Sequence, residues 1–185
     1  MFFDLIKKRR SIRKFKEKMI EEEKIELLKQ AMLLTPSSKG RNPWEFILVD
    51  QRELLIKLSE SKPHGSAFLA HTPLAIVVIA NPNRSDVWIE DTSIATTYIL
   101  LAAEALELGA CWIQIRKRKY SDTIDAEEYI KNLLSIPGDR RILSMVGIGY
   151  PDENKMPRKE EDLEYNRVFF NQFGNYERIS KKETI

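Results

Sequence analysis

Seven consecutive apolar residues, Leu74-Ala75-Ile76-Val77-Val78-Ile79-Ala80, constrain this chain more than any other feature. Ile76, Val77, Val78 and Ile79 are β-branched, which suits an extended backbone. A run without polar alternation has no face to leave to water, so it reads as a strand buried on both sides. Such a strand needs one layer above it and another below. The rest of the chain has to supply both.

Three further strands are expected, over residues 44–49, 110–115 and 142–148. Between them lie helical patterns. Residues 3–10 read as a short helix with Phe3, Leu5 and Ile6 inward. In 20–34, Ile25, Leu28 and Met32 share one stripe, which Leu27, Ala31 and Leu34 widen. Glu21, Glu22 and Glu23 favour the positive end of that helix dipole, and Thr35-Pro36 stops it. A short helix is expected over 53–59 and another over 126–134. A long one over 89–108 turns Ile94, Ala95, Tyr98, Leu101, Ala102, Ala105 and Leu108 inward and closes at Gly109. Strands alternating with helices imply a sheet covered on both faces, and 185 residues suffice for a single domain, 1–185, with a sizeable core.

Several classes of chemistry find no support. Net charge is only +2, which argues against a nucleic-acid partner, and no stretch has the apolar length to cross a bilayer. Met1-Phe2-Phe3 runs at once into charged residues, leaving no room for a signal peptide, so a cytoplasmic location is expected. The single cysteine, Cys111, excludes an internal disulfide and lies in an apolar strand, where inert packing is expected. His64 and His71 lack the spacing of metal ligands, and no metal is expected. Neither a Gly-x-Ser-x-Gly elbow nor a Gly-x-Gly-x-x-Gly turn occurs.

Charge is concentrated in Lys7-Lys8-Arg9-Arg10-Ser11-Ile12-Arg13-Lys14-Phe15. Arg9 and Arg10 each offer a planar fork of donors suited to a phosphate, and Ser11 adds a short donor. Arg13 can serve another acceptor of the same ligand. By itself such a stretch is most often a solvated surface and occasionally a nucleic-acid or membrane patch. A second stretch, Pro36-Ser37-Ser38-Lys39-Gly40-Arg41-Asn42-Pro43-Trp44, shifts that balance.

The two stretches together resemble the opening of the nitroreductase family of FMN-dependent oxidoreductases. Arg9-Arg10-Ser11-Ile12-Arg13-Lys14-Phe15 and Pro36-Ser37-Ser38 with Gly40-Arg41-Asn42-Pro43-Trp44-Glu45-Phe46 carry the likeness. Thr72-Pro73, Asp91, Leu108-Gly109-Ala110-Cys111-Trp112-Ile113-Gln114-Ile115-Arg116 and Gly147-Ile148-Gly149-Tyr150-Pro151 continue it in the same order, over roughly residues 3–160. It implies an α+β, three-layer α/β/α fold whose mixed, mainly antiparallel sheet is flanked by helices. It also implies a homodimer with FMN at the interface, and a C-terminal arm, 151–185, that docks on the partner subunit through Phe169, Phe170, Phe173 and Tyr176.

The resemblance assigns the FMN phosphate and ribityl chain to Arg9, Arg10 and Ser11, and the pyrimidine edge of the ring to Arg13. It assigns a second contact, from the other subunit, to Pro36, Ser37, Ser38, Arg41 and Asn42, and the approach to the ring to Trp112, Ile113, Gln114 and Arg116. Arg158 falls where relatives place a further phosphate ligand, although Glu160-Glu161-Asp162 follow it here. The implied activity is ping-pong transfer from NADH or NADPH to a nitroaromatic, quinone or enone acceptor, with no catalytic side chain. The alternatives are a flavin-binding redox sensor without turnover and, more distantly, a nucleic-acid module using the basic runs.

Overall fold

The computed structural model describes residues 1–176. Four strands, β1 (Trp44–Val49), β2 (Leu74–Ala80), β3 (Gly109–Gln114) and β4 (Arg141–Gly149), form one sheet in the order β1-β2-β4-β3. Neighbouring strands are antiparallel throughout. The apolar run is β2, inside the sheet, with every residue buried. β3 pairs with β4 from Gly109↔Gly149 to Gln114↔Ser144, which leaves its other side as an edge. Among the described residues the one parallel pairing is an isolated bridge, Ser11↔Ala110, on that edge.

Both faces of the sheet are covered. On one, α2 (Glu22–Leu33) and α4 (Trp88–Ala105) bring Leu28, Met32, Ile99 and Ala103 onto Ile76, Val78, Val146 and Ile148. On the other, α3 (Arg52–Ser59) and α5 (Ala126–Leu134) bring Leu55, Leu58 and Ile130 onto Val77, Ile79, Ile113 and Met145. Burying each leucine or isoleucine is worth roughly 1.5–3 kcal/mol. The fold is therefore the expected α+β, α/β/α arrangement.

Three local expectations are corrected. The first helix, α1 (Phe2–Lys8), buries none of its residues; Phe3 is 70% exposed and Ile6 37%. Among the described residues nothing buries Phe3 or Ile6, whereas Leu5, on the side toward α4, is half-buried.

The inward face of α4 is Asp91, Thr92, Ala95, Thr96, Ile99 and Ala103, whereas Ile94 and Tyr98 are exposed. Thr92 and Thr96 hide their hydroxyls by donating to backbone carbonyls one turn back, and Thr96 also bonds Ser144 of β4. Satisfied this way, hydroxyls serve as core residues; the purely apolar stripe finds Ala95 and Leu108 but misses Thr92 and Thr96 and includes the exposed Ile94 and Tyr98.

Gly109 does not close α4. The helix ends at Ala105, and Glu107 takes the left-handed conformation (φ 61°) usual for glycine. Leu108 N–H then donates to Ala103 O at 2.8 Å and Glu107 N–H to Glu104 O at 3.1 Å, a Schellman closure. Gly109 is needed for space instead: a Cβ there would lie 2.8 Å from the Ile12 side chain.

Candidate functional site

Past α1 the chain becomes extended at Arg9 (φ −56°, ψ 122°) and passes along the outer edge of β3. Ile12 N–H donates to Ala110 O at 3.1 Å, and the buried Ile12 and Phe15 anchor the segment. On its other flank lies a segment 140 positions away. Lys16 N–H donates to Tyr150 O and Asp152 N–H to Lys14 O, both at 2.9 Å, and Phe15 bridges Pro151. Glu153 Oε1 accepts from Arg13 N–H at 2.5 Å and Lys14 N–H at 3.2 Å. Lys155 donates to Ser11 O, Arg10 to Met156 O, and Arg158 N–H to Lys7 O. Residues 150–158 thus run antiparallel to 7–16 and clasp the basic stretch against the sheet.

An extended backbone sends successive side chains to opposite sides, and the adjacent arginines separate accordingly. Arg9 shares a hollow of about 590 Å³ with Arg158, Phe3, Ile6, Leu163 and Tyr165. Arg10 lines a different, smaller hollow beside Glu104, Glu107 and Lys155. Of the acidic run after Arg158, Glu161 pairs with the Lys159 ammonium at 3.0 Å and Asp162 accepts the Lys159 N–H at 3.0 Å, while Glu160 lines the same hollow as Arg9 and Arg158. Among the described residues no carboxylate pairs with Arg9, Arg13 or Arg158.

β3 supplies the second part. Because Ala110 O points outward to Ile12, strand alternation turns the backbone groups of Trp112 and Gln114 outward as well. Ile113, 1% exposed, turns its side chain into the core and its backbone toward β4. At the far end Lys62 donates to Gln114 O at 3.1 Å. Trp112 Nε1–H donates to Gln114 Oε1 at 3.0 Å, and Gln114 Nε2–H to Arg116 O at 3.1 Å. An open edge therefore runs from Ser11 to Lys62. Lys62 is the participant the sequence did not single out; its Lys-Pro-His-Gly surroundings read only as a loop. Burial, reinforced by Arg118, pushes its pKa down. Beneath the edge, burial pushes the Cys111 thiol up despite Arg13, Lys155 and Arg9 nearby, so it stays protonated and poorly nucleophilic.

The 36–42 loop is built differently. It contains a short 3₁₀ turn, Ser38–Gly40, and Lys39, Gly40 and Asn42 all have positive φ. Ser37 donates its hydroxyl to Asn42 Oδ1 at 2.7 Å and accepts Asn42 N–H at 2.8 Å. Asp91, 2% exposed, accepts Ser38 N–H at 2.8 Å on one oxygen and the Ser85 hydroxyl at 2.8 Å on the other. Arg41 is paired with Asp86 at 2.9 Å, and Pro36 is exposed. Lys8 meets Glu104 near the opposite end of α4. At 1.5 Å per residue, the thirteen positions from Asp91 to Glu104 span about 20 Å. Within one chain the two recognised stretches stay apart.

A model of the nitroreductase family matches residues 6–62 and 55–150. The chain belongs to the nitroreductase family. It is 49% identical to an FMN-dependent nitroreductase from Clostridium difficile R20291, whose structure superposes with a TM-score of 0.91 over 92% of this chain and 99% of that one. A protein of Archaeoglobus fulgidus assigned as an NADH dehydrogenase/NAD(P)H nitroreductase is 38% identical over 155 residues, 82% of this chain and 86% of the relative. An iodotyrosine deiodinase of Thermotoga neapolitana is 28% identical over 197 residues, 90% of this chain and 98% of the relative. Among the described residues no cluster of three His, Cys, Asp or Glu could hold a metal, and no helix is long and apolar enough to cross a membrane.

Proposed function

We propose that this nitroreductase-family chain is an FMN-dependent NAD(P)H oxidoreductase that reduces nitroaromatic, quinone or enone acceptors as a homodimer. The observation that carries the reading is the convergence of Arg9 and Arg158 on one hollow, next to Ser11 and the open edge of β3. FMN needs cations for a phosphate and edge donors for a flat ring. Two guanidinium groups without carboxylate partners suit the phosphate, and the outward N–H groups of Trp112 and Gln114 suit the ring. Arg13 and Lys62 place positive charge at the two ends of that edge, where charge on a reduced ring would be stabilised. The residues fit the group. Bound there, FMN supplies a two-electron carrier between NAD(P)H and the acceptor.

This chain's own residues bind and orient; none has to act as general acid or base. Ile12, Phe15 and the 150–158 clasp hold the donors rigid. Donor and acceptor would use the same open side in turn, which is a ping-pong order. Arg10, engaged by Met156 O on another side, belongs to the clasp rather than the phosphate pair. Pro36, Ser37, Ser38, Arg41 and Asn42 would reach the ligand only from a second copy, given their distance from Arg9 here.

Support for a dimer comes from apolar surface that one chain leaves bare: Phe3, Leu33, Leu34, Ile94, Tyr98 and Phe173. A contiguous partner surface would explain that exposure. Phe169 packs on Phe173 and Tyr176, at 4.6 and 5.5 Å between ring centroids, while Phe173 and Tyr176 stay exposed. The expected docking of the C-terminal arm would give these rings a core; residues 177–185 of the arm lie outside the described residues. The use of a single cysteine, Cys111, suits a reducing, cytoplasmic setting.

An absorbance spectrum of the purified protein, followed by acid release of the chromophore, tests the cofactor. A flavin spectrum from a protein of dimeric mass that oxidises NADPH or NADH with a quinone is expected. A colourless monomer that ignores added FMN would refute the reading.

A further inference from the structure

Arg116-Lys117-Arg118-Lys119 follow β3 directly. The four cations occupy a tight turn in which Arg118 N–H donates to Ile115 O at 2.9 Å and Lys117 has φ 57°. Among the described residues only Lys119 has a carboxylate partner, Asp125 at 2.8 Å. Arg116 does not extend into solvent: its guanidinium lies 6.0 Å from the ring centroid of Trp88, in the first turn of α4, and the residue is half-buried. Lys62, also half-buried, is held by Gln114 O, and Arg118 is close enough to add to the burial that disfavours its charge. Lys62, on Gln114 O, and Arg116 and Arg118, in the turn that follows, thus all attach to the end of the open β3 edge, and among the described residues no carboxylate pairs with any of them.

A solvated basic loop would spread its charges and leave them mobile. Here two of the three are fixed by an aromatic ring and a strand carbonyl, and like charges are kept together at a cost in stability. An arginine laid on an aromatic face keeps its fork of donors pre-organised for a planar or tetrahedral anion. The arrangement has affinity for negative charge built into it.

We propose that Lys62, Arg116 and Arg118 form a subsite for an anionic group, phosphate, sulfonate or carboxylate, on the substrate that meets the cofactor at the β3 edge. This rests on the cofactor reading above and gives the substrate a class: it carries negative charge away from its reacting part. The same chemistry has two sources, the 2′-phosphate of NADPH and an acidic substituent on the acceptor.

The test is direct binding to the full chain as purified. 2′,5′-ADP and 5′-AMP differ by the 2′-phosphate and are compared by calorimetry. Anthraquinone-2-sulfonate and uncharged menadione are compared by quenching of tryptophan fluorescence. Both pairs are measured at ionic strengths of roughly 0.01 and 0.15 M. In at least one pair the more anionic member should bind about tenfold more tightly at low salt, as two partly solvated ion contacts allow. That preference should shrink at the higher salt and vanish in Arg116→Gln with Arg118→Gln, while the circular dichroism of the variant is unchanged and its melting temperature does not fall. A preference in the nucleotide pair assigns the subsite to NADPH, and one in the quinone pair assigns it to the acceptor. Equal affinities within both pairs, or a preference that survives the double substitution, overturn the proposal. Since these titrations need neither turnover nor bound flavin, a colourless protein would remove the FMN reading and leave the subsite still testable by the same binding differences.

Discussion

The 9–15 stretch and the 36–42 loop both stand out in the sequence, yet they are held in opposite ways. The loop is largely self-contained: Ser37 and Asn42 close it, three positive-φ residues shape it, and one buried carboxylate, Asp91, fastens it to α4. The basic stretch has almost no local structure. Its shape comes from the β3 edge on one side and from Tyr150, Glu153, Lys155 and Met156 on the other. A binding segment can thus be rigid because it is folded on itself or because distant chain grips it. Substitutions should distinguish the two.

The largest expected effect lies where the grip creates chemistry. On the proposed phosphate assignment, Arg9→Ala with Arg158→Ala would remove two charge-assisted contacts worth roughly 1.5–3 kcal/mol each, so FMN affinity should fall by about a hundredfold or more. Arg10→Ala, its side chain lining a different hollow, should weaken FMN by less than about tenfold. Fluorescence titration of the stripped proteins measures both, and equal losses would show that the adjacent arginines act together after all.

In the self-contained loop the sensitive point is Asp91. Asp91→Ala leaves Ser38 N–H and the Ser85 hydroxyl without their acceptor in a buried place, a loss of roughly 2–4 kcal/mol in urea unfolding. Asp91→Asn keeps an acceptor for Ser38 and should recover most of it. An Asp91→Ala protein of unchanged stability would mean that the loop is held by something else.

Glu153 is the corresponding point in the clasp, nearer solvent and so worth less, on the order of 1 kcal/mol for Glu153→Gln. Arg13 N–H, and then Lys14 N–H and Lys155, hold its carboxyl below the usual carboxylate range. The unfolded chain therefore takes up the proton first as pH falls. The contribution is full above the ordinary carboxylate pKa and is lost as pH drops through the depressed folded value. Wild type and Glu153→Gln should differ at neutral pH and converge in acid; a constant gap would contradict the assignment.

The smallest effect uses Cys111 as a reporter. It lies under the clasped stretch, buried and with its pKa raised, so iodoacetamide at mildly alkaline pH should label the native protein slowly. Glu153→Gln should speed labelling by a few-fold, and Asp91→Ala should not. The opposite pattern would place the flexible region at the wrong end of α4.

How much could be read in advance follows the same division. Trp44–Val49, Leu74–Ala80 and Ala126–Leu134 were legible to the residue, because each carries its pattern within itself. The inward side of α4 was not, since Thr92 and Thr96 reach the core only by satisfying their hydroxyls inside the helix, while Ile94 and Tyr98 stay outside. The motifs located the basic stretch and the 36–42 loop. They did not separate Arg9 from Arg10, remove Ile113 from the edge or point to Lys62, because those depend on strand alternation and on contacts across the fold.

Local pattern alone determined that this chain must sandwich an apolar strand between helices and that its positive charge collects near one end. Tertiary structure decided which cations share a hollow, which backbone groups face outward and what holds them there. The reason is physical: hydrophobic periodicity is a property of neighbouring residues, whereas a site is a set of directions, and directions are set only when segments as far apart as Arg13 and Glu153 are brought into hydrogen-bonding distance.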